Sequence, residues 1–154
     1  MSNVFSKWCS LKEKLENRKK LPYFKNREIW WAYPGKNIAY EEDGKGDNFT
    51  RPILIFHKFN KNLLLAIPQS KQIKKHPYIW VYDHTDEKRA LLILQMRVIS
   101  SKRLIKKMAT LPRDKFDKLV KEMNNSILQL PNAPQNTNPP CQRQGGRSPK
   151  AVRV

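Results

Sequence analysis

Asp47-Asn48-Phe49-Thr50-Arg51-Pro52-Ile53-Leu54-Ile55-Phe56 decides how the rest of this chain is read. A polar approach ends in Arg-Pro, and a run of four apolar residues follows at once. Proline has no backbone donor, so it belongs at the first positions of a strand or on an edge. Arg51 therefore stands at the mouth of a strand whose other residues seek burial. A guanidinium placed where a loop hands over to a rigid strand is well placed to hold an anion. An ordinary surface arginine is the plain alternative.

Outward from that strand, short apolar runs alternate with turn chemistry. Residues 28–33, Glu-Ile-Trp-Trp-Ala-Tyr, read as a preceding strand closed by Pro34-Gly35. A long loop over residues 34–50 then carries Glu41, Glu42, Asp43 and Asp47, with Gly44 and Gly46 as flexible points. Loops of this length inside a compact domain are uncommon and often functional, and this one is expected to be mobile. The strand at 51–57 turns at Phe59-Asn60-Lys61-Asn62 into another over 63–67, which Pro68-Gln69-Ser70 stops. After the basic stretch Lys71-Gln72-Ile73-Lys74-Lys75-His76 comes a strand over 78–82. A polar turn over 83–88 leads to residues 90–94, apolar on both faces and so expected to be central, with 95–99 continuing the same strand. One helical turn at 101–104 and a short strand over 105–109 complete the set.

Helical periodicity marks both flanks. Val4, Trp8, Leu11 and Leu15 predict an amphipathic helix over residues 3–17, capped by Ser2 or Asn3. Leu111-Pro112 opens a second helix with proline in its first turn, and Phe116, Leu119, Val120, Met123, Ile127 and Leu130 form its buried stripe. Residues 131–154 hold five of the 11 prolines and no acid, the composition of a disordered tail. The expected division is a helix and linker over 1–26, a domain over 27–130 and a basic, proline-rich tail over 131–154. The fold class is mainly β with helices, as a small barrel or a strongly bent sheet.

Charge narrows the function. The 154 residues carry 31 Lys+Arg against 13 Asp+Glu, a net charge of +18. The tail holds four positive charges, which leaves +14 on residues 1–130. Such an excess suits a polyanion, with nucleic acid first, a membrane surface second and an acidic protein third. Cys9 and Cys141 stand far apart, and no Cys/His cluster exists, so neither a zinc site nor a disulfide framework is expected. No metal or cofactor is called for. The start carries no signal peptide, and no apolar run approaches the ~18 residues of a membrane span. A cytoplasmic protein is expected.

The order of the parts resembles a MazF/PemK-type toxin over about residues 27–130. Arg27-Glu28-Ile29-Trp30-Trp31, the Gly-containing acidic loop and Arg51-Pro52-Ile53-Leu54-Ile55 resemble the family's opening. Ala66-Ile67-Pro68-Gln69-Ser70 is similar to its strand ending in a hydroxyl residue, and Gln95-Met96-Arg97-Val98-Ile99 to its Gln-x-Arg strand. Lys102-Arg103-Leu104 with the following helix resembles its ending. The resemblance implies an SH3-like barrel of the type shared with CcdB toxins, with the N-terminal helix added. It also implies a homodimer, metal-independent cleavage of single-stranded RNA and an acidic antitoxin that covers the RNA site. This chain departs from the family at Tyr40-Glu41-Glu42, where Ser-Glu-Gln or His-Glu-Gln is common, and at Ser70, where Thr is common. Leu92 and Leu94 stand where some members carry an Arg-x-Asp pair.

Cutting RNA without a metal needs the 2'-hydroxyl to attack its own phosphate, and the transition state needs fixed positive charge and donors. Arg51 meets that need by its planar fork, always charged. Ser70 can donate from the neighbouring strand end, or merely terminate its strand. Glu41 matches the family's loop glutamate, or is a solvated carboxylate. Lys71, Lys74, Lys75 and His76, beside Tyr78 and Trp80, combine charge with stacking faces for RNA. The resemblance adds Gln95 and Arg97 to the RNA-binding set. His57 shares strand parity with Arg51 but lies about 20 Å away in a regular strand, too far to share one phosphate. Two other readings remain: a CcdB-like inhibitor that acts on gyrase by protein contact, and an RNA-binding relative that does not cleave.

Overall fold

A computed structural model describes residues 3–85 and 87–128. Asn3 caps the first helix, α1 (Val4–Glu16), by accepting the Phe5 N–H at 3.1 Å; Ser2 lies outside the described residues. Trp8 is the fully buried residue of α1, Leu11 and Leu15 are half-buried, and Val4 is exposed. The expected stripe therefore reduces to one anchoring indole with two flanking leucines.

The strands are β1 (Glu28–Ala32), β2 (Arg51–Lys58), β3 (Leu63–Ser70), β4 (Ile79–His84), β5 (Glu87–Leu92), β6 (Arg97–Ser100) and β7 (Leu104–Thr110). They form an antiparallel sheet in the order β4-β5-β3-β2-β1-β7, with β6 pairing β3 off that path. The ladder does not close into a ring. The fold is thus mainly β with a helix at each end of the described sheet.

β3 is the pivot. On one edge it pairs β2 from Leu64 to Pro68; on the other, Leu63 to Ala66 pair β6 and then Gln69 and Ser70 pair β5. Pro68 lies between these two partners, where a missing N–H leaves no ladder bond unmade on that edge. Pro68-Gln69-Ser70 therefore does not stop the strand as expected; it carries the strand from one partner to the next. The same arrangement corrects the reading of residues 90–99 as one strand. β5 ends at Leu92, a 3-10 turn spans Ile93–Gln95, and β6 begins at Arg97. Between the Leu91–Gln69 and Arg97–Ala66 pairs this segment advances six residues while β3 advances three, and the turn takes up the difference. The hairpin before β5 is also tighter than expected, with β4 and β5 paired as far as His84 and Glu87.

The sheet has a core on both faces. Ile29, Leu54, Ile67, Trp80, Leu91 and Leu111 pack on one face under Leu119 and Met123 of α2 (Arg113–Met123). Pro112 is the N-cap of α2 rather than a residue of its first turn, and Leu130 lies outside the described residues. Phe24, Trp30, Ile53, Ile55, Leu64, Ile99 and Leu104 fill the other face. β2 alternates between these clusters as a two-faced strand must. A bulge at Phe56 then breaks the alternation, and His57 emerges exposed. His57 therefore does not share the side of Arg51. It is excluded as a partner by the break in parity as well as by distance.

Buried among the strands is one carboxylate, Glu28. It accepts from the Trp30 indole at 2.9 Å and from the Lys25 N–H at 3.0 Å, and Lys107 lies 2.8 Å away. Burial pushes its pKa up, but the hydrogen bonds from Lys107, Trp30 and Lys25 outweigh that and hold it below the ordinary value. Glu28 ties β1 to β7 and lies apart from the site described next.

Candidate active site

Arg51 opens β2, as the sequence predicts, but it is not a strand-mouth surface group. Its side chain is 4% exposed. The guanidinium pairs with Glu42, and its Nε donates to the Asp43 carbonyl at 2.8 Å. Nη1 points at the Gln69 carbonyl, 3.4 Å away on β3. Burial lowers its pKa, and Glu42 and Asp43 act in the opposite direction. The guanidinium stays charged, since it begins above ~12.

The acid that meets Arg51 is Glu42, not Glu41. Glu41 is exposed and accepts from the Ile38 N–H at 3.2 Å. Its charge acts on Arg97, which burial would otherwise depress further. Two adjacent glutamates in a loop look alike in a sequence; only the turn of the loop decides which one points inward.

That loop, residues 34–50, expected to be mobile, is tied at several points to itself and to residues far along the chain. Gln95 accepts the Glu42 N–H and donates to the Tyr40 carbonyl, both at 3.0 Å. Arg97 donates to Asn37 at 3.1 Å and to the Pro34 carbonyl at 2.8 Å. Asp43 accepts the Asn37 N–H at 2.6 Å and pairs with Lys36. A short bridge joins Lys45 and Thr50. Gly44 lies so close to Phe49 that a Cβ would overlap the Phe49 carbonyl. The donors of Gln95 and Arg97, expected on RNA, are directed at the loop's backbone and at the Asn37 side chain, although Gln95 still lines a cavity.

α1 braces the same loop from behind. Trp8 packs on Phe49 with ring centroids 5.6 Å apart, and the Arg103 guanidinium stacks 5.3 Å from the indole. Gly35, at φ +93°, lies directly against the indole and has no room for a Cβ. Arg18, just past the helix, donates to the carbonyls of Lys102 and Leu104 at 3.0 and 2.6 Å.

Two cavities open beside Arg51, and Ser70 lines both. The first, 420 Å³, has Tyr40, Glu42, Gln72, Lys74, His76, Tyr78 and Gln95 among its walls. The second, 480 Å³, is walled by Arg51, Thr50, Trp31, Lys45, Lys71 and Arg89, among others. Ser70 is 9% exposed, and its Oγ accepts the Gln72 N–H at 3.0 Å. Its own hydrogen remains for another acceptor. Ser70 is common to both: Lys74, His76 and Gln95 share the first cavity with it, and Arg51 and Lys71 the second. Lys75 is exposed nearby in sequence and lines neither cavity.

Behind the ridge, Gln69 donates to the Tyr82 hydroxyl at 2.8 Å. Burial pushes the Tyr82 pKa up to about 12, against the pull of Arg89 and of the Gln69 hydrogen bond. Tyr82 is therefore a neutral support at working pH. Glu42, Arg89 and Trp8 are the residues that sequence reasoning passed over. Arg89 had a signal: it shares strand parity with Leu91, which the apolar run marks as buried.

Among the described residues no three His, Cys, Asp or Glu side chains gather as a metal site would require. No described helix is long and apolar enough to cross a membrane. Residues 25–127, about two thirds of the chain, match the family described as PemK-like, MazF-like toxin of type II toxin-antitoxin system. The chain belongs to that family. As a PemK-like toxin of a type II system, it implies an antitoxin as partner. The match leaves out α1, so the brace on the loop lies outside the family's shared part. No curated protein matches this PemK-like chain.

Proposed function

We propose that this PemK-like toxin is an endoribonuclease that cleaves single-stranded RNA through attack of the RNA's own 2'-hydroxyl. The observation that carries the reading is the buried Arg51 guanidinium, which lines the second cavity and is held by Glu42, itself a wall of the first. A carboxylate on an arginine occupies the place that phosphate oxygens would take. An incoming phosphate displaces Glu42, and Arg51 then neutralises the charge that grows on the phosphorane. In a low-dielectric site such a fixed charge stabilises the transition state far more than it would in water. Ser70 donates to a phosphate oxygen or to the 2'-hydroxyl.

The carboxylate paired with Arg51 is Glu42, and it takes the proton-transfer role. Glu41 acts through the loop, by its effect on Arg97 and its cap on Ile38. Lys71, Lys74, Lys75 and His76 draw the RNA in and contact its backbone. Gln95 reaches RNA from the first cavity, and Arg97 keeps the loop in place. The reading includes a homodimer, which a monomeric mass in light scattering at micromolar concentration would exclude.

Incubation of the purified chain with mixed RNA in EDTA tests this reading. Fragments ending in a 2',3'-cyclic phosphate with a free 5'-hydroxyl support it, as does protection of an RNA with one 2'-deoxy residue before the scissile bond. Intact but bound RNA would make the chain a non-cleaving relative. Neither binding nor cleavage would favour action by protein contact, as in gyrase inhibition.

A further inference from the structure

The second cavity holds more positive charge than one phosphate on Arg51 requires. Lys45, Arg51, Lys71 and Arg89 all line it, and none of its lining residues is an acid. Arg89 leaves β5 opposite Tyr82, and its side chain is only 16% exposed. Its Nε is buried and has no hydrogen-bond partner among the described residues. The other end of the guanidinium meets Glu87 at 2.7 Å, and Glu87 also lies 3.6 Å from Lys71. One carboxylate, itself 54% exposed, thus tethers two of the cations at the cavity rim. A charged donor buried without an acceptor is an unfinished site, because guanidinium N–H groups are rarely left unmatched.

The shape says what completes it. At 480 Å³ the space has the size of a small-ligand pocket, and the half-buried Trp31 offers an aromatic wall. Aromatic faces beside cations are how single strands are seated: the base stacks and the phosphate pairs. Thr50 and Ser70 add hydroxyls on the same wall. We propose that Arg89 is a second phosphate-binding residue and that this cavity seats the nucleotide next to the scissile one. Its phosphate lies on Arg89 and Lys71 in place of Glu87, and its base lies against Trp31. This assignment rests on the RNA reading above and extends it by one nucleotide.

The test uses the full chain and an RNA carrying a 2'-deoxy residue at the mapped cleavage site, so that binding is measured without turnover. Arg89→Ala should weaken binding about tenfold at low salt and flatten the slope of log affinity against log salt by about 0.7, the value of one lost phosphate contact on a single strand. Arg89→Lys should restore the slope and part of the affinity, because the charge returns without the fork. Lys118→Ala, on the exposed side of α2, should change neither. Wild-type affinity and slope in Arg89→Ala would overturn the assignment and leave the RNA reading intact. Loss of binding together with a lowered melting temperature, unrescued by Arg89→Lys, would make Arg89 a support for Tyr82 and also overturn it. A hexaglutamate peptide that binds more tightly than the RNA, and needs Arg89 to do so, would give the cavity to an acidic protein instead. A wild type that binds no RNA at all sinks the RNA reading itself, and the subsite with it.

Discussion

Two irregular segments flank the candidate active site, and they are held in opposite ways. Residues 34–50 are caught at many points: Gln95 and Arg97 hold their backbone, Asp43 closes them internally, and Trp8 packs behind Phe49. Residues 71–77 are exposed throughout. Their hydrogen bonds are local, from Gln72 to the Ser70 hydroxyl and from Ile79 to the His76 carbonyl. The first segment fixes where a carboxylate meets a buried arginine. Apart from Lys71, which lies 3.6 Å from Glu87, the second offers its lysines to solvent with little constraint on their position. Geometry is therefore invested in one wall of the groove and attraction in the other. Substitutions in the first should change rate, and substitutions in the second should change affinity.

Arg51→Ala should break this division most severely. Removing a preorganised charge from a transition state costs about 10²–10³ in rate. The substitution also leaves Glu42 and two carbonyls without their donor. It should therefore lower stability by about 1–3 kcal/mol, which a purely surface arginine would not do. Single-turnover cleavage and a urea melt report the two effects separately. Arg51→Lys should recover part of the stability and little of the rate, because an ammonium cannot reproduce the fork. Full activity in Arg51→Ala would remove Arg51 from the site.

Gly44→Ala attacks the loop without touching a charge. Its Cβ would overlap the Phe49 carbonyl, so the backbone between Glu42 and Arg51 has to shift. Misplacement by about 1 Å can cost about 10² in rate. RNA affinity should stay within a fewfold of the parent, since the basic residues are unchanged. A parallel fall in affinity and rate would show that the loop is itself part of the binding surface.

Trp8→Ala works at longer range. Truncating a buried indole costs about 3–5 kcal/mol, and here the cavity opens under Phe49 and Gly35 rather than in either main cluster. Cleavage should fall about tenfold at a temperature where the variant remains folded, with most of the loss in kcat rather than KM. Unchanged cleavage in a folded Trp8→Ala would reduce α1 to an appendage.

Much of the fold was legible in the sequence because its signals are local. Arg-Pro before an apolar run marked β2, and the alternation of Ile53, Leu54 and Ile55 between two faces follows from strand geometry. The break between β5 and β6 was not legible. Residues 90–99 hold neither glycine nor proline, and the turn at Ile93–Gln95 absorbs a register slip of three residues against β3, a feature of the partner strand and not of the local sequence. The order of the loop was hidden for a similar reason. Its anchors, Gln95 and Arg97, lie about fifty residues downstream, and nothing within residues 34–50 announces them. The place of Arg51 at the head of β2 was legible, but its burial was not, because the groups that cover it come from that loop and from β3.

The smallest effect should come from Lys74→Ala, and it sharpens the comparison most cleanly. Lys74 lines the first cavity and is exposed. Among the described residues it makes no ion pair, so its removal breaks no structure, and the melting temperature should not move. Its contribution to RNA is a single screened charge, so log affinity against log salt should flatten by about 0.7. The loss of affinity should be several-fold at 50 mM salt and nearly absent at 300 mM, where the Debye length is shorter than the reach of the side chain to the backbone. The maximal rate at saturating RNA should equal that of the parent. If instead Lys74→Ala lowers that rate and the deficit persists at high salt, the lysine touches the reacting phosphate. The exposed stretch would then belong to the catalytic wall, and the division between a wall that positions and a wall that attracts would fail.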